Sequence, residues 1–339
     1  MKDFLGFSLR KRMELVLEVK RKFENCLIKK LNLKKVPAPL FVEAESGIQD
    51  DLNGIEKAVE FKIDSIGEKR FQIVHSLAKW KRLALREMQL EVGEGIITDM
   101  LAIRPQEDIK NSSIHSVLVD QWDWERVISK DERNIYYLKK AVKKIYSCLK
   151  KTEIYFSKML NYESVLPKEI KFIYSDDLYK AFPNLSPKKR EREIVKRYGA
   201  VFIIGIGYPL PDGKPHDGRA PDYDDWVTLG ENGKRGLNGD IIIWNPVLED
   251  AFEISSMGIR VDKDSLKTQL KMQGLEKRLL FPWHKLLMKG ELPLSIGGGI
   301  GQSRVAMYML RRKHIGEVQV SAWPEKVKGF SNKGSLLMV

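Results

Sequence analysis

The chain has 339 residues, of which 43% are hydrophobic and 31% charged, and its formal net charge is +13. This composition is typical of a soluble globular protein and not of a disordered or membrane chain. No apolar run approaches the roughly 20 residues that cross a bilayer, and the N-terminus lacks a signal-peptide pattern. We therefore expect a cytoplasmic protein that has no membrane partner.

Positive charge is concentrated near the N-terminus, where residues 1–35 hold 11 Lys or Arg against 4 Asp or Glu. An RNA-binding surface would explain such an excess. A solvated helix face also explains it and is the more common case. Charge alone therefore leaves both interpretations open.

The sequence has two cysteines, Cys26 and Cys148. They are too few for a disulfide framework or for a zinc site built on cysteines. We expect two ordinary thiols in a reducing compartment.

Hydrophobic spacing predicts the first elements of the chain. Apolar side chains at helical intervals predict a basic, amphipathic helix at residues 10–31. Two prolines exclude a helix interior from residues 36–42, which we expect to enter a strand. A short apolar strand at 71–74 and a helix at 75–88 complete this part.

Two strands and a long helix are predicted next. Residues 98–104 and 116–121 have strand character, and the polar loop 105–113 between them favours an antiparallel pair. A lysine-rich helix near residues 130–160 follows, with apolar side chains along one side.

The C-terminal half combines strands and helices with one long loop. Residues 209–239 are rich in Gly, Pro and Asp, and long loops of this kind are often functional. Adjacent strand pairs with intervening helices favour an α+β fold with a mainly antiparallel sheet over alternating βαβ units. The remaining predicted elements are strands at 171–174, 200–207, 241–244 and 253–261, a helix opened by Ser186 as N-cap and Pro187, and a glycine run at 297–301 that leads into a final helix.

The strongest local motif is this glycine run, which includes Gly299 and Gly301 and is followed by Arg304. Glycine lets the backbone approach a flat or anionic ligand, because no Cβ atom intervenes. The helix that follows places Arg304 near a helix N-terminus, which suits a phosphate group. The spacing fits neither a Walker A loop nor a dinucleotide-binding fingerprint. A tight turn before a helix is the alternative interpretation.

A second motif, IRPQED at residues 103–108, delivers Arg104 from a strand end into a polar turn. A guanidinium group holds phosphate or carboxylate through two hydrogen bonds, so Arg104 is suited to neutralise charge in phosphoryl or adenylyl transfer. An exposed arginine at the mouth of a hairpin is the alternative interpretation.

Acidic side chains border several predicted strands and offer the hard oxygen ligands that Mg²⁺ prefers. Each of them alone is more often a loop cap or a solvated acid. No histidine or cysteine has the spacing of zinc ligands, and no hydrolase nucleophile motif is present.

Taken in order, these segments resemble the catalytic domains of class II aminoacyl-tRNA synthetases. Pro39, Arg104 and the glycine run with Arg304 follow the order of the three motifs of that class. The closer resemblance is to the aspartate–ammonia ligase family, ammonia-dependent asparagine synthetases related to the aspartyl and asparaginyl enzymes. The strings that carry it include GIQDDLNGIEKAV at 47–59, HSVLVDQWDWERV at 115–127, RAPDYDDW at 219–226 and GGGIGQSR at 297–304.

The resemblance implies one class II synthetase-like catalytic domain over residues 1–339, with a basic helix within 1–35 and a short tail at 325–339. It implies ATP-dependent synthesis of L-asparagine from L-aspartate and ammonia. The route would pass through a β-aspartyl-adenylate and release AMP and pyrophosphate, with Mg²⁺ accompanying ATP. Pro39 matches the motif that lies at the dimer interface of the class, so a homodimer is implied.

The resemblance also assigns site residues. Arg104 and Arg304 would be catalytic and grip the nucleotide, and Asp50 would act as a base or bind the substrate amine. Arg260 and Lys81 would face the α-carboxylate of aspartate, since the β-carboxylate must be activated. The other implied residues are Ser76, Gln121, Asp123, Asp224 and Ser256 for aspartate, Glu107, Gly299 and Gly301 for the nucleotide, and Glu253 with Asp240 for the metal.

Two other interpretations share these motifs. An aspartyl- or asparaginyl-tRNA synthetase would explain the positive charge, but such enzymes carry an N-terminal oligonucleotide-binding barrel, whereas residues 1–35 read as a helix. A non-catalytic or tRNA-binding module is disfavoured because the charged site residues are retained together. Glutamine-dependent asparagine synthetases use an N-terminal cysteine nucleophile, and Lys2 follows Met1 here. We therefore expect free ammonia as nitrogen donor and no requirement for tRNA.

Overall fold

A computed structural model describes residues 6–50, 52, 56–230 and 233–330. Outside this part lie residues 1–5, residues 51 and 53–55 of the string at 47–59, residues 231–232 of the long loop, and residues 331–339 of the tail. The described strands are β1 (Leu33–Lys35), β2 (Phe41–Glu43), β3 (Glu60–Lys62), β4 (Arg70–Ile73), β5 (Gly95–Ile103), β6 (Leu118–Val127), β7 (Lys171–Tyr174), β8 (Ala200–Ile204), β9 (Asn238–Asn245), β10 (Asp250–Ile259) and β11 (Ser295–Gly301). The described α-helices are α1 (Leu9–Leu31), α2 (Ala78–Glu87), α3 (Ile135–Leu160), α4 (Ser175–Ala181), α5 (Pro187–Tyr198), α6 (Lys263–Met272), α7 (Pro282–Lys289), α8 (Gln302–Met309) and α9 (Glu325–Phe330).

Eight strands form one large sheet in the order β1-β5-β6-β11-β10-β9-β8-β7. The outer pairs, β1 with β5 and β7 with β8, are parallel, and the other neighbours are antiparallel. A second, three-stranded sheet has the order β2-β4-β3. The predicted α+β fold with a mainly antiparallel sheet is confirmed.

The main apolar core lies between one face of the large sheet and helices α1, α3 and α8. Strand β6 shows how the two faces differ. Trp122 and Trp124 point into the core and are 1% and 0% exposed. Because side chains alternate along a strand, Gln121 and Asp123 lie on the opposite face. That face is contacted by α2 and α5 and carries the polar side chains of the site.

The basic N-terminal segment is a helix, as predicted, and its apolar stripe is buried against α3 and α8. Cys26 on α1 and Cys148 on α3 form a disulfide, with 5.6 Å between their Cα atoms. The expectation of two free thiols is wrong. Packing of α1 on α3 brings together two cysteines that are 122 residues apart in the sequence, and no local pattern marks that contact.

The glycine run is a strand and not a turn. It forms most of β11, which lies between β6 and β10, and α8 begins directly after it. A Cβ atom on Gly298 would lie 2.5 Å from the Cβ of Met257, so the neighbouring strand leaves no room for a side chain. The prediction that α8 is the final helix is wrong, because α9 follows at the start of the expected tail.

Two helix starts differ in detail from the predictions. Helix α2 begins at Ala78 and not at His75, because the backbone N–H of His75 and the hydroxyl of Ser76 are hydrogen-bonded to Gln49 and Asp50. Ser186 occupies the N-cap of α5 as predicted, but its side chain makes no capping hydrogen bond in the described structure. No helix in the described ranges combines the length and apolar character that a membrane span requires.

Candidate active site

The polar face of the large sheet holds a cavity of about 350 Å³. Its floor is β11 with the neighbouring strands β6 and β10, and loops before α2, after β5 and before β9 complete its walls. Every predicted site residue except Asp240 lines this cavity. These residues are Asp50, Ser76, Lys81, Arg104, Glu107, Gln121, Asp123, Asp224, Glu253, Ser256, Arg260, Gly299, Gly301 and Arg304.

Two guanidinium groups reach the cavity from different elements. Arg104 follows β5 and donates a hydrogen bond to the backbone oxygen of His75 over 3.0 Å. Its buried Nε has no hydrogen-bond partner within the described residues, which leaves a donor for an anionic ligand. Arg304 lies in the first turn of α8 and donates to the backbone oxygen of Glu253 over 3.0 Å. This end of the cavity is therefore suited to a phosphate group.

Titratable side chains surround Arg304. The carboxylate of Glu253 lies 3.7 Å from the Arg304 guanidinium. Burial raises the pKa of Glu253, but the charges of Arg304 and Lys188 outweigh burial and hold it below its ordinary value. Burial and the charge of Arg304 lower the pKa of His115, so this imidazole is neutral near pH 7. The end of the cavity suited to phosphate thus also carries a charged acid and a neutral histidine.

The deeper part of the cavity is built on buried ion pairs. Lys81 is 1% exposed, and its ammonium lies 3.1 Å from Oδ2 of Asp123 and donates to the backbone oxygen of Gly298 over 3.1 Å. Burial lowers the pKa of Lys81, against the opposing charges of Asp123 and Glu125. The contacts with Asp123 and Gly298 therefore fix the Lys81 amino group beside the sheet floor.

Arg260 is held between two carboxylates. Its Nε and one terminal nitrogen donate to Glu125 over 2.9 and 2.8 Å, and its other terminal nitrogen donates to Asp224. Burial raises the pKa of Glu125, but Arg260 outweighs burial and lowers it. Because cations and anions alternate here, the pocket matches a ligand that carries both a carboxylate and an ammonium group.

Asp50 and Ser76 form a further contact on the cavity wall. The Ser76 hydroxyl donates to Oδ2 of Asp50 over 2.6 Å, and the backbone N–H of Leu52 donates to Oδ1 over 2.8 Å. Asp50 is 2% exposed. A carboxylate oxygen accepts more than one hydrogen bond, so Asp50 can also accept from a ligand amine.

Gly299 pairs with Asp123 on β6 and with Ser256 on β10, and Ser256 pairs with Asp240 on β9. These four residues therefore lie side by side across the sheet. A Cβ atom on Gly299 would lie 2.2 Å from Oε1 of Gln121 and 2.8 Å from Oδ1 of Asp123. The absence of a side chain therefore creates the space into which the polar groups of β6 and β10 face.

Asp240 lies beside the cavity but does not line it. Its carboxylate pairs with Arg219, which itself lines the cavity. Burial raises the pKa of Asp240 to about 7, against the opposing charge of Arg219. The charge of Glu253 adds to this rise in the pKa of Asp240, so the two acids lie in one negatively charged neighbourhood, and the metal role of both stays a prediction. Within the described ranges, no three or more His, Cys, Asp or Glu side chains are grouped to hold a metal ion.

Asp222 fixes the loop that carries Asp224, and the Asp222 side chain is 0% exposed. The Asp222 carboxylate lies 3.0 Å from the ammonium of Lys79, 3.0 Å from Arg278 and 3.1 Å from Nε2 of His284. Burial raises the pKa of Asp222, but these partners outweigh burial and lower it. The loop is therefore anchored to α2 and α7 by buried charges.

Sequence reasoning missed several residues at this site. Glu125 could have been found, because Gln121, Asp123 and Glu125 alternate with tryptophans and so share one face of β6. Arg219 and Asp217 line the cavity from the long loop before β9. No periodic pattern marks a position in such a loop, so these two residues had no local signal.

Solved structures with a similar fold are aminoacyl-tRNA synthetases. The asparaginyl-tRNA synthetase from Pyrococcus horikoshii complexed with asparaginyl-adenylate has a TM-score of 0.67 and 15% identity, over 93% of this chain and 70% of that one. The asparaginyl-tRNA synthetase from Entamoeba histolytica has a TM-score of 0.63 and 15% identity, over 91% and 66%. The aspartyl-tRNA synthetase from Entamoeba histolytica has a TM-score of 0.60 and 12% identity, over 90% and 57%. The chain thus spans about two thirds of the length of these proteins, or less.

At such identities the likeness shows the fold, which is that of the class II aspartyl- and asparaginyl-tRNA synthetase catalytic domains. Residues 10–334 match the family described as aspartate–ammonia ligase. The chain belongs to this family, which is one of ligases. The predicted family and the predicted fold are confirmed, and the match favours an aspartate–ammonia ligase over the alternative of a tRNA synthetase.

Proposed function

We propose that this chain synthesises L-asparagine from L-aspartate, ammonia and ATP through a β-aspartyl-adenylate, with release of AMP and pyrophosphate. The observation that carries the proposal is one cavity that joins two guanidinium groups, Arg104 and Arg304, to the buried cations Lys81 and Arg260. Membership of the aspartate–ammonia ligase family supports the same conversion.

Formation of the adenylate requires two anions to meet. A β-carboxylate oxygen of aspartate bonds to the α-phosphorus of ATP, the bond from that phosphorus to the bridging oxygen breaks, and pyrophosphate leaves. Electrostatic repulsion opposes this approach. Arg104 and Arg304 offset the repulsion with preorganised positive charge, and no side chain forms a covalent intermediate.

Aspartate lies with its α-carboxylate at Lys81 and Arg260 and with its ammonium group near Asp50. Glu125 and Asp224 already neutralise much of the charge of Arg260, so the pocket favours a zwitterion over a simple dianion. This orientation directs the β-carboxylate away from Arg260 and toward the nucleotide. The other side chains assigned to aspartate are Ser76, Gln121, Asp123 and Ser256, while Glu107, Gly299 and Gly301 border the nucleotide.

Ammonia completes the reaction. Its nitrogen bonds to the β-carbonyl carbon of the adenylate, the carbon–oxygen bond to AMP breaks, and the nitrogen loses a proton. Asp50 is assigned as the acceptor of that proton or as the group that binds the substrate amine.

The two roles of Asp50 predict different results for Asp50→Asn. If Asp50 is the base, the pre-formed adenylate should react with ammonia about 10²-fold more slowly or worse, while the KM for aspartate changes little. If Asp50 binds the amine, the KM for aspartate should rise and the ammonia step should keep its rate. Single-turnover kinetics that separate adenylate formation from aminolysis make this measurement. An unaltered ammonia step rules out the base role.

ATP enters as a substrate with Mg²⁺, which supplies Lewis-acid neutralisation of phosphate charge when bound. Glu253 fits this ion because its carboxylate is charged and one-third exposed in the cavity. The remaining ligands would come from phosphate oxygens and water, since Mg²⁺ usually keeps several waters.

Glu253→Gln is therefore expected to raise the Mg²⁺ concentration for half-maximal adenylate formation by about tenfold, because the amide loses the negative charge that attracts the ion. A titration of activity against free Mg²⁺ at saturating ATP measures this shift. Asp250→Asn, at an exposed acid on the same strand, is the control and should leave the midpoint unchanged. An equal midpoint in both variants would contradict the role of Glu253.

Gly299→Ala is expected to raise the KM for aspartate about tenfold or more, because the added methyl group must displace Gln121 or Asp123. Gly301→Ala is the matched control. The Cβ atom there would lie 3.2 Å from the nearest atom, in the side chain of Arg304, and should be tolerated with a smaller effect. Steady-state kinetics with aspartate and ATP varied separately test the pair. Equal effects of both substitutions would count against the proposed aspartate pocket.

The overall reaction can be tested directly. Purified protein is incubated with labelled aspartate, Mg-ATP and ammonium in the absence of tRNA, and asparagine, AMP and pyrophosphate are measured. All three products are expected in equal amounts. Formation of ADP in place of AMP would indicate an acyl phosphate. Asparagine formation with glutamine alone, at the rate seen with ammonium, would refute the prediction that the enzyme depends on free ammonia.

The proposal also includes a homodimeric, cytoplasmic enzyme of one domain that needs no tRNA. Strand β1 lies at one edge of the large sheet, and an edge strand of this kind is available for subunit pairing.

A disulfide is unusual in a reducing compartment, except in intracellular proteins of hyperthermophiles, which are rich in disulfides. Light scattering tests the dimer. Filter binding of tRNA with a salt titration tests the basic surfaces, because phosphate contacts give a steep salt dependence.

A further inference from the structure

Lys188 is a cation beside the cavity that the reaction described above does not use. It lies in the first turn of α5, and its ammonium is 3.2 Å from Oε1 of Glu191 and 3.3 Å from Oδ2 of Asp217. Asp217 lines the cavity. The Lys188 side chain is 65% exposed, and an ammonium group has three N–H donors, of which these two contacts use two. One donor therefore remains for a ligand at the cavity rim.

The contact with Asp217 puts Lys188 at the rim of the cavity, and Glu253 is among the charges that act on it. Desolvation lowers the pKa of Lys188, but the carboxylates of Glu191, Glu253 and Asp217 outweigh it and raise that pKa. Lys188 in turn acts on His115, which also responds to the charge of Arg304. The charges of Lys188 and Arg304 thus both act on Glu253 and on His115.

This end of the cavity has more negative than positive side chains before any nucleotide enters. Glu107, Asp217 and Glu253 line it, and Arg104 and Arg304 supply the assigned positive charge. Arg219 also lines the cavity, but its charge is paired with Asp240. The α-phosphate of ATP requires both guanidinium groups in the proposed reaction. The β- and γ-phosphates add further negative charge beside the three carboxylates. An additional cation beside Asp217 would reduce that repulsion.

We propose that Lys188, at the cavity rim, binds the β- and γ-phosphates of ATP, and hence the pyrophosphate that leaves. It would be the third cation for the nucleotide, after Arg104 and Arg304. The inference rests on the proposed function, because it assigns a ligand group within the same site. Lysine acts here as a point charge on a flexible stem, which suits a phosphate group that moves away during the reaction.

The affinities for ATP, pyrophosphate and AMP distinguish binding of the β- and γ-phosphates from a general effect on the site. In Lys188→Ala, the dissociation constant for ATP and the inhibition constant for pyrophosphate should each rise about tenfold, since a charged hydrogen bond is lost. The dissociation constant for AMP should stay within about twofold, because AMP has no β- or γ-phosphate. Lys189→Ala, at the next exposed lysine of α5, should change none of the three values. Isothermal titration calorimetry and product-inhibition kinetics provide the measurements.

A double variant distinguishes binding from charge cancellation. If Lys188 only neutralises Asp217, then Lys188→Ala combined with Asp217→Asn should restore wild-type affinity for ATP, and that result would overturn the inference. If Lys188 binds phosphate, ATP affinity stays weak in the double variant. Equal weakening of AMP and ATP in Lys188→Ala would also overturn it. Failure of the proposed function looks different, since the wild-type protein would then form no AMP from aspartate and ATP.

Discussion

Replacement of Arg104 or Arg304 by Gln is expected to lower the rate of adenylate formation by about 10²- to 10³-fold for each residue. The physical reason is that each guanidinium offsets the repulsion between the aspartate carboxylate and the phosphate, and Gln keeps a hydrogen-bond donor but no charge. The double variant should lose more activity than either single variant. Pyrophosphate release in a single turnover, at saturating aspartate and ATP, measures the step directly.

A matched control separates this effect from a general loss of positive charge. Arg86→Gln removes an exposed arginine on α2 that is paired with Glu291, outside the cavity. It should leave the rate of adenylate formation unchanged. If the double variant at Arg104 and Arg304 formed adenylate as fast as Arg86→Gln, the proposed function would be wrong, because the proposal assigns the approach of the two anions to these two guanidinium groups.

Glu125→Gln is expected to lower the free energy of unfolding by about 3–5 kcal/mol, because it leaves Arg260 buried beside one carboxylate where the native protein has two. The Gln oxygen keeps an acceptor for Ser295, which donates to Glu125 over 2.7 Å, but the Gln amide presents N–H donors to the Arg260 guanidinium where the second carboxylate oxygen accepts from it. The same substitution should raise the KM for aspartate more than tenfold, since Arg260 is then free to change its orientation. Denaturant unfolding and steady-state kinetics give the two values.

The two readouts together distinguish a positioning role from a purely structural one. A positioning role predicts that the KM for aspartate rises while the KM for ATP stays near its native value at a temperature where the variant is folded. Glu291→Gln, at an exposed acid, should change neither stability nor KM by a measurable amount. If both KM values rose equally, Glu125 would support the fold of the whole cavity and not Arg260 in particular.

Several elements could be predicted because their signals are local. Strand β7 has the predicted bounds, and α1 and α3 follow apolar stripes with a period that a single segment displays. The predictions of secondary structure were wrong where contacts with distant segments determine the structure. A tight turn, the alternative interpretation of the glycine run, is wrong, because β6 and β10 supply hydrogen-bonding partners on both sides of this central strand. Glycine has a low strand propensity of its own, so this outcome depends on the neighbours.

The site shows the same division. Resemblance to class II motifs named the residues that line the cavity, and their roles stay predictions until the variants above are measured. The sequence did not show which of the charged residues form ion pairs with each other. Arg260 and Glu125 are 135 residues apart in the sequence, and Lys79 and Asp222 are 143 apart. Asp240 also matched by resemblance, but its pairing with Arg219 and its distance from the cavity surface depend on how the long loop folds back.

The sequence alone determined the α+β class, the family, the order of the motifs and most of the helices and strands. These features depend on periodicity, turn residues and short strings, which act within a few residues of each other. Tertiary structure decided the disulfide between α1 and α3, the strand character of β11 and the counter-ions of Arg260. Each of these is a contact between distant segments, and such a contact forms only when the packing of the whole sheet brings the two segments together.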